Sequence, residues 1–159
     1  MDIPIRIAPA TPDDSGLIWR ILERSIRSGC AIDHRNDARA VQAWIGQYGL
    51  RQIDTWLREP SLRLSLAWHG GKPVGIAMVS RGGDIGLCHV QPEFFHRGIG
   101  QALMADVERY LQQSGCRAAR VWSTRTALEF YLHLGYRYGR EAICMDGVKL
   151  TPLSKWLAD

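Results

Sequence analysis

Apolar residues along the chain switch between two spacings, and the switches mark its elements. Ile3, Ile5 and Ile7 alternate with less apolar neighbours, the two-residue repeat of a strand. Thr11-Pro12-Asp13-Asp14 then supplies an N-cap and an acidic first turn. Leu17, Ile18, Ile21, Leu22 and Ile26 recur at helical spacing, which predicts a helix running through Ser28-Gly29. From Asp33 to Pro60, Val41, Trp44, Ile45, Ile53, Trp56 and Leu57 keep helix-like intervals broken near Gly46 to Gly49, the pattern of two short helices. At Ser61 the period falls to two. Leu62, Leu64, Leu66 and Trp68 alternate up to the turn His69-Gly70-Gly71-Lys72, and Pro73 to Val79 forms the second arm of a hairpin. Gly82-Gly83 permits a further reversal into a strand from Asp84 to Val90.

Past Pro92, Ile99, Leu103, Val107, Tyr110 and Leu111 define a helix stopped at Ser114-Gly115. A strand at Ala118 to Ser123 and a short helix from Thr126 to Leu134 follow, and Tyr136 to Leu157 reads as two closing strands joined near Asp146-Gly147. The fold class is therefore mixed α/β (α+β): a central mixed, mostly antiparallel sheet flanked by helices.

Composition narrows the function classes. At 159 residues and 46% hydrophobic content the chain fits one domain, 1–159, with a substantial core. Lys and Arg exceed Asp and Glu by only 20 to 16 and the charges are scattered, which argues against a nucleic-acid partner. Cys30, Cys88, Cys116 and Cys144 form no CxxC pair and no ligand cluster with the five histidines; no metal site is expected, and reduced thiols in a cytoplasmic protein are. The N-terminus MDIPIRIAPATPDD lacks a basic start and apolar core, and no apolar run approaches ~18 residues, so neither secretion nor a membrane partner is expected.

The chemistry concentrates in Phe94-Phe95-His96-Arg97-Gly98-Ile99-Gly100-Gln101-Ala102-Leu103. A helix entered through glycines presents unpaired backbone N–H groups and the positive end of its dipole, a combination suited to phosphate. The competing reading is a tight strand-to-helix turn and no more. A dinucleotide fingerprint would need glycine where Leu103 stands, and a Walker loop would need Gly-Lys-Ser/Thr, which does not occur.

The run Val90-Gln91-Pro92-Glu93 followed by that loop resembles the signature of the GNAT superfamily of N-acetyltransferases: a strand, Val-x-Pro-Glu, Arg/Gln-x-x-Gly-x-Gly/Ala, and a helix. A second block, Thr124-Arg125-Thr126-Ala127-Leu128-Glu129-Phe130-Tyr131-Leu132-His133-Leu134-Gly135-Tyr136, resembles the family's Asn-x-x-Ala-x-x-Phe-Tyr-x-x-x-Gly-Phe. The likeness spans most of the chain and is weakest at 29–60, the variable substrate-side segment. It implies the GNAT acyl-CoA N-acyltransferase fold, acetyl-coenzyme A as co-substrate and no metal. The implied cofactor-binding set is Cys88, His89, Val90, His96, Arg97, Gly98, Ile99, Gly100, Gln101, Thr124 and Ala127. Two positions depart from the pattern: Phe95 replaces the family's Arg or Gln, and Thr124 replaces its Asn.

Acetyl transfer to an amine needs a neutral nucleophile, because an alkyl amine titrates near ~10.4. It also needs a polarised thioester carbonyl and a proton for the leaving thiolate. The resemblance makes Asp84 the base, since Asp84 falls where the histone-acetylating branch carries its glutamate, and strand alternation would put Asp84, Cys88 and Val90 on one face. Asp84 is equally well read as a turn residue beside Gly82-Gly83. The base that other members carry on the following strand is Ala119 here. Tyr131 matches the family's general acid, and a backbone N–H between Cys88 and Val90 would meet the oxyanion. Cys88 and His89 are adjacent on a strand and point apart, which argues against a covalent cysteine route.

The acceptor expected is a small-molecule amine, with Asp33, His34, Asp37, Trp44, Asp54 and Trp56 offering carboxylates and aromatic faces to a cation. A degenerate acyl-CoA-binding regulatory module and a protein or peptide acetyltransferase stand as alternatives. Relatives that pair through sheet edges leave a homodimer open.

Overall fold

The computed structural model describes residues 3–145 and 147–157. Strand β1 (Ile5–Pro9) leads through a 3-10 turn at Pro12–Asp14 into α1 (Ser15–Arg24). The helix expected to continue to Gly29 changes to π geometry over Ser25–Gly29, an insertion that turns Ser25 and Ile26 inward, where both are buried. Three helices follow where two were expected: α2 (Ala31–His34), α3 (Ala38–Gly46) and α4 (Leu50–Leu57). The break expected at 46–49 separates α3 from α4. The extra element, α2, is a single turn, too short to carry a periodic signal.

Strands β2 (Leu62–His69), β3 (Lys72–Ser80) and β4 (Asp84–Val90) form the expected antiparallel meander. After a 3-10 turn at Pro92–Phe94 come α5 (Ile99–Gln113), β5 (Ala118–Ser123) and α6 (Arg125–His133). The closing segment holds three strands instead of two: β6 (Arg137–Tyr138), β7 (Ile143–Met145) and β8 (Val148–Trp156), the two short ones both pairing with β8. The reversal expected at Asp146-Gly147 joins β7 to β8, with Gly147 at φ 81°; Asp146 lies outside the described residues. The sheet order is β1-β2-β3-β4-β5-β8-β6, and every pairing is antiparallel except β4 with β5.

Helices cover both faces of the sheet, which is why the interior residues of β2 and β3 are buried on both sides instead of alternating with exposed ones. One core joins α5 and α6 to Ala67, Ala77, Val79 and Ile85, and the other joins α1 and α4 to Leu64, Leu66, Ile76, Met78 and Leu87. Ile85 and Leu87 are two residues apart yet lie in opposite cores. Between them the register slips by one, with Val79 facing Ile85 but Met78 facing Leu87, so Gly86 is the extra residue of a β-bulge. A Cβ at Gly86 would lie 2.6 Å from Met78 Cε, the end of a flexible side chain that would have to move aside.

Asp106 on α5 is buried and accepts hydrogen bonds from Arg63 Nε and Nη2 at 3.2 and 2.9 Å and from Ser65 Oγ at 2.7 Å, fastening α5 to β2. Burial alone would raise this carboxyl; the Arg63 and Ser65 bonds and the charges of Arg63 and Arg109 outweigh it and hold the group below its usual range. Its folded value is thus lower than its unfolded one. The stabilisation it gives is full well above ~3.9 and is lost as pH falls through the folded value. Asp106→Ala should cost about 2 kcal/mol or more in denaturant unfolding at pH 7, and the gap between Asp106→Asn and wild type should narrow as pH falls through the lowered folded value of Asp106.

Candidate active site

Parallel pairing of β4 with β5 covers only Asp84 with Arg120 and Ile85 with Val121. Beyond the bulge the strands part, so the β5-facing edge of β4 from Gly86 to Val90 has no ladder on that side. A cavity of about 250 Å³ fills the gap. On one side it is walled by Thr124, Ala127 and Tyr131 of the α6 region, and on the other by Trp44, Gln47 and Tyr48. Ile85 to His89 run along it, and Val121, Trp122, Met145, Val148 and Leu150 complete the lining.

The α6 side carries the proposed acid. Tyr131 is 3% exposed, set edge-on to Phe130 and Tyr136 with ring centroids 5.2 and 5.5 Å away. Its side chain hydrogen-bonds to that of Cys88. Burial first, with Cys88 and Tyr136 adding to it, raises its pKa well above the ordinary phenol value, so the hydroxyl keeps its proton at neutral pH. Burial likewise pushes the Cys88 thiol up to about 12, against the lowering effect of Tyr131, which leaves it a poor nucleophile. Thr124 caps α6, its Oγ1 accepting from Ala127 N at 3.3 Å.

His89 lines the cavity from the opposite face of β4, and its Nδ1 lies 2.9 Å from Ser25 Oγ. Burial lowers its pKa to about 4, so the ring is neutral at physiological pH. Ser25 also hydrogen-bonds to Cys30. When the single Ser25 hydrogen goes to the Cys30 sulfur, His89 Nδ1–H donates to Oγ and Nε2 is left as an acceptor.

Asp84 is not brought to this site. The bulge at Gly86 reverses the alternation expected across 84–90, so that Cys88 and Val90 pack with the α5 core while Asp84 falls on the other face. Its side chain is 69% exposed and accepts from Arg120 Nε at 2.9 Å, the arrangement of a surface ion pair.

The glycine loop is preorganised. His96 and Gly98 adopt left-handed φ of 60° and 82°, and the first turn of α5 leaves the N–H groups of Ile99, Gly100 and Gln101 without intrahelical partners. Ile99 is buried, so only its backbone is available. Arg97 is engaged elsewhere, its guanidinium 5.4 Å from the Phe94 ring centroid. Gly100 permits close packing: a Cβ there would lie 3.1 Å from two Phe130 ring carbons. Phe95 replaces a polar side chain with an anchor, because a Cβ at Gly29 would come within 2.9 Å of its Cζ. Arg24 and Glu93 pair beside it, so the loop is held against the end of α1.

Most polar groups expected to greet a cation are committed to the fold. Asp33 is 4% exposed and accepts from Arg125 N at 2.5 Å, from Thr126 N at 3.2 Å and from the Thr126 hydroxyl, capping α6 from α2. His34 bonds Ile26 O and Asn36 N through its two nitrogens, Asp37 caps α3, and Asp54 pairs with Arg58. Trp56 packs on Tyr48 with the α1–α4 core, and Trp44 alone of the expected set lines the cavity. The sequence reading missed Gly86, Tyr48, Trp122 and Met145. Gly86, a glycine inside an apolar strand, was the one legible signal.

A model of the acetyltransferase (GNAT) domain matches residues 32–157. A Bacillus subtilis (strain 168) protein named provisionally as an acetyltransferase is 30% identical over 94 residues, 57% of this chain and 63% of that relative's length. Among solved structures, a GCN5-related N-acetyltransferase from Rhodopseudomonas palustris superposes with a TM-score of 0.87 at 21% identity, covering 98% of each chain. The PaiA N-acetyltransferase of Thermoplasma acidophilum, solved with coenzyme A, gives 0.81 at 15% identity over 97% of this chain and 99% of its own. The splayed β4–β5 pair, the glycine-entered α5, the Tyr131 helix and the family model over most of the length agree: the chain belongs to the GNAT family of acetyltransferases.

Proposed function

We propose that the protein transfers an acetyl group from acetyl-coenzyme A to a primary amine of a small molecule, by direct attack within a ternary complex. The supporting observation is the cavity where β4 and β5 part. It has a buried, protonated tyrosine on the α6 side and an aromatic chamber on the α3 side. Its volume of about 250 Å³ sits below the ~300–1,000 Å³ usual for small-molecule sites, which suits a compact amine group.

The residues present fit the coenzyme. Backbone donors at 99–101, aligned with the positive end of the fifteen-residue α5, suit a pyrophosphate, and the two left-handed residues before them fix the loop. Acetyl-coenzyme A supplies an activated thioester and a thiol leaving group.

Tyr131 holds its proton at Oη beside a sulfur, Cys88, a placement suited to protonating a departing thiolate. The unladdered edge of β4 offers backbone N–H groups to a developing oxyanion. The cavity contains no charged side chain among the described residues, so it favours the neutral amine over its ammonium. His89, steadied by Ser25, accepts the amine proton in place of Asp84.

Thiol release from acetyl-coenzyme A with mass detection of the acetylated amine tests the reaction. Tyr131→Phe should lower kcat by about a hundredfold while leaving the dissociation constant for acetyl-coenzyme A within about threefold. Unchanged turnover with chemistry rate-limiting removes the tyrosine from the acid role. His89→Ala should lower kcat by about tenfold or more and Asp84→Asn should stay within about twofold of wild type. The reverse order would return the base to Asp84.

A further inference from the structure

One short stretch, residues 25–34, reaches both proton-transfer groups from behind the cavity wall. At its start Ser25 Oγ lies 2.9 Å from His89 Nδ1. Near its end Asp33 accepts from Arg125 N at 2.5 Å, from Thr126 N at 3.2 Å and from the Thr126 hydroxyl, at the first turn of the helix that carries Tyr131. Ser25 and Asp33 are both buried, and neither lines the cavity.

The stretch is also tied to itself. His34 Nδ1 accepts from Asn36 N at 3.0 Å, which places the ring's proton on Nε2, and Nε2–H donates to Ile26 O at 2.8 Å. This bond spans eight residues and joins α2 to the π turn that points Ser25 inward. His34 is buried and stands edge-on to Trp44, while Ile26 and Cys30 pack in the same cluster as that indole. Arg35 and Asn36 then adopt left-handed φ of 52° and 57°, a conformation that non-glycine residues hold only where their surroundings maintain it.

A displacement at Ser25 must therefore move Ile26 or break a buried hydrogen bond, and His34 carries the same displacement to Asp33. Leaving the buried Asp33 carboxylate or the donors of α6 unpaired is costly, so α6 moves with it.

We infer that residues 25–34 form one positioning brace for the reaction: Ser25 sets the ring of His89, Asp33 sets the helix of Tyr131, and His34 locks the two settings to each other. This rests on His89 and Tyr131 as the proton-transfer pair of the proposed reaction, and adds positioning residues that lie outside the cavity.

The test uses the full chain with nitrogen-labelled histidine rings and carbon-labelled tyrosines, the signals of His89 and Tyr131 being assigned with His89→Ala and Tyr131→Phe. Ser25→Ala should shift the Tyr131 signal as well as that of His89, and Thr126→Val, which removes one hydroxyl from the Asp33 cluster, should shift the His89 signal as well as that of Tyr131. If each substitution moves only the group on its own side, the contacts are independent and the brace is overturned.

Kinetics supply the second arm. Ser25→Ala and Thr126→Val should each lower kcat at least about threefold and leave the dissociation constant for acetyl-coenzyme A within about twofold. The double variant should fall short of the product of the two losses by at least about threefold, since either change alone frees the shared brace. Losses that simply multiply overturn the inference. His34→Ala should lower kcat at least about tenfold, and His34→Gln, whose amide can still donate to Ile26 O, should regain at least about threefold of that loss. Equal rates for a folded His34→Ala and the wild type overturn it too, and the Ser25 and Thr126 variants decide the matter if His34→Ala does not fold. A wild-type protein that binds acetyl-coenzyme A but forms no product from any amine overturns the reaction, and the brace's role in it, whereas failure of the brace alone leaves wild-type turnover intact.

Discussion

The separation of β4 from β5 is the constraint on which the site depends. Two parallel pairs join the strands, and then the ladder ends. A continuous ladder would place Trp122 and Ser123 against Gly86 and Leu87 and close the gap the cavity occupies. One inserted residue, Gly86, accompanies the divergence: it bends β4 and reverses which side chains face which core. The same slip puts Cys88 on the Tyr131 side and His89 on the Ser25 side, so the proposed proton donor and acceptor stand on opposite faces of one strand.

Around that gap the charges are kept in the scaffold. Asp106 fastens α5 to β2, Glu108 accepts from Tyr136 and Lys155, and Asp33 caps α6. Each carboxylate is met by several donors, which offsets the cost of burying it. The cavity is left with groups that hold protons without carrying charge. A developing charge in such surroundings interacts strongly with the few dipoles aimed at it, because little water competes.

Much of this was legible in the sequence. The meander, the glycine-entered helix, the tyrosine helix and the mixed sheet follow from spacing and turn residues, and two motifs in order pointed to the family. What escaped is what spacing cannot encode. Period-two reasoning puts Asp84 and Cys88 on one face, and a single bulge undoes it; Gly86 permits the bulge but does not require it. A helix read as continuous through Gly29 changes hydrogen-bonding pattern at Ser25, which brings that hydroxyl to His89. Phe95 departs from the polar pattern of the loop, and only its contact with Gly29, sixty-six positions earlier, explains what an aromatic does there. Asp33 is likewise an ordinary surface acid by sequence, and its role appears only beside a helix start more than ninety residues away.

That Asp33 contact bears on how new acceptor specificities could arise in this scaffold. The helical segment from 31 to 57 walls one side of the cavity and so invites exchange, yet it carries the carboxylate that seats the helix bearing Tyr131. Grafting a foreign segment in its place would orphan two backbone N–H groups at the start of α6. A chimera would therefore inherit a loosened Tyr131 helix along with its new pocket, unless the graft brought an acid to the same spot or residue 124 took over more of the capping.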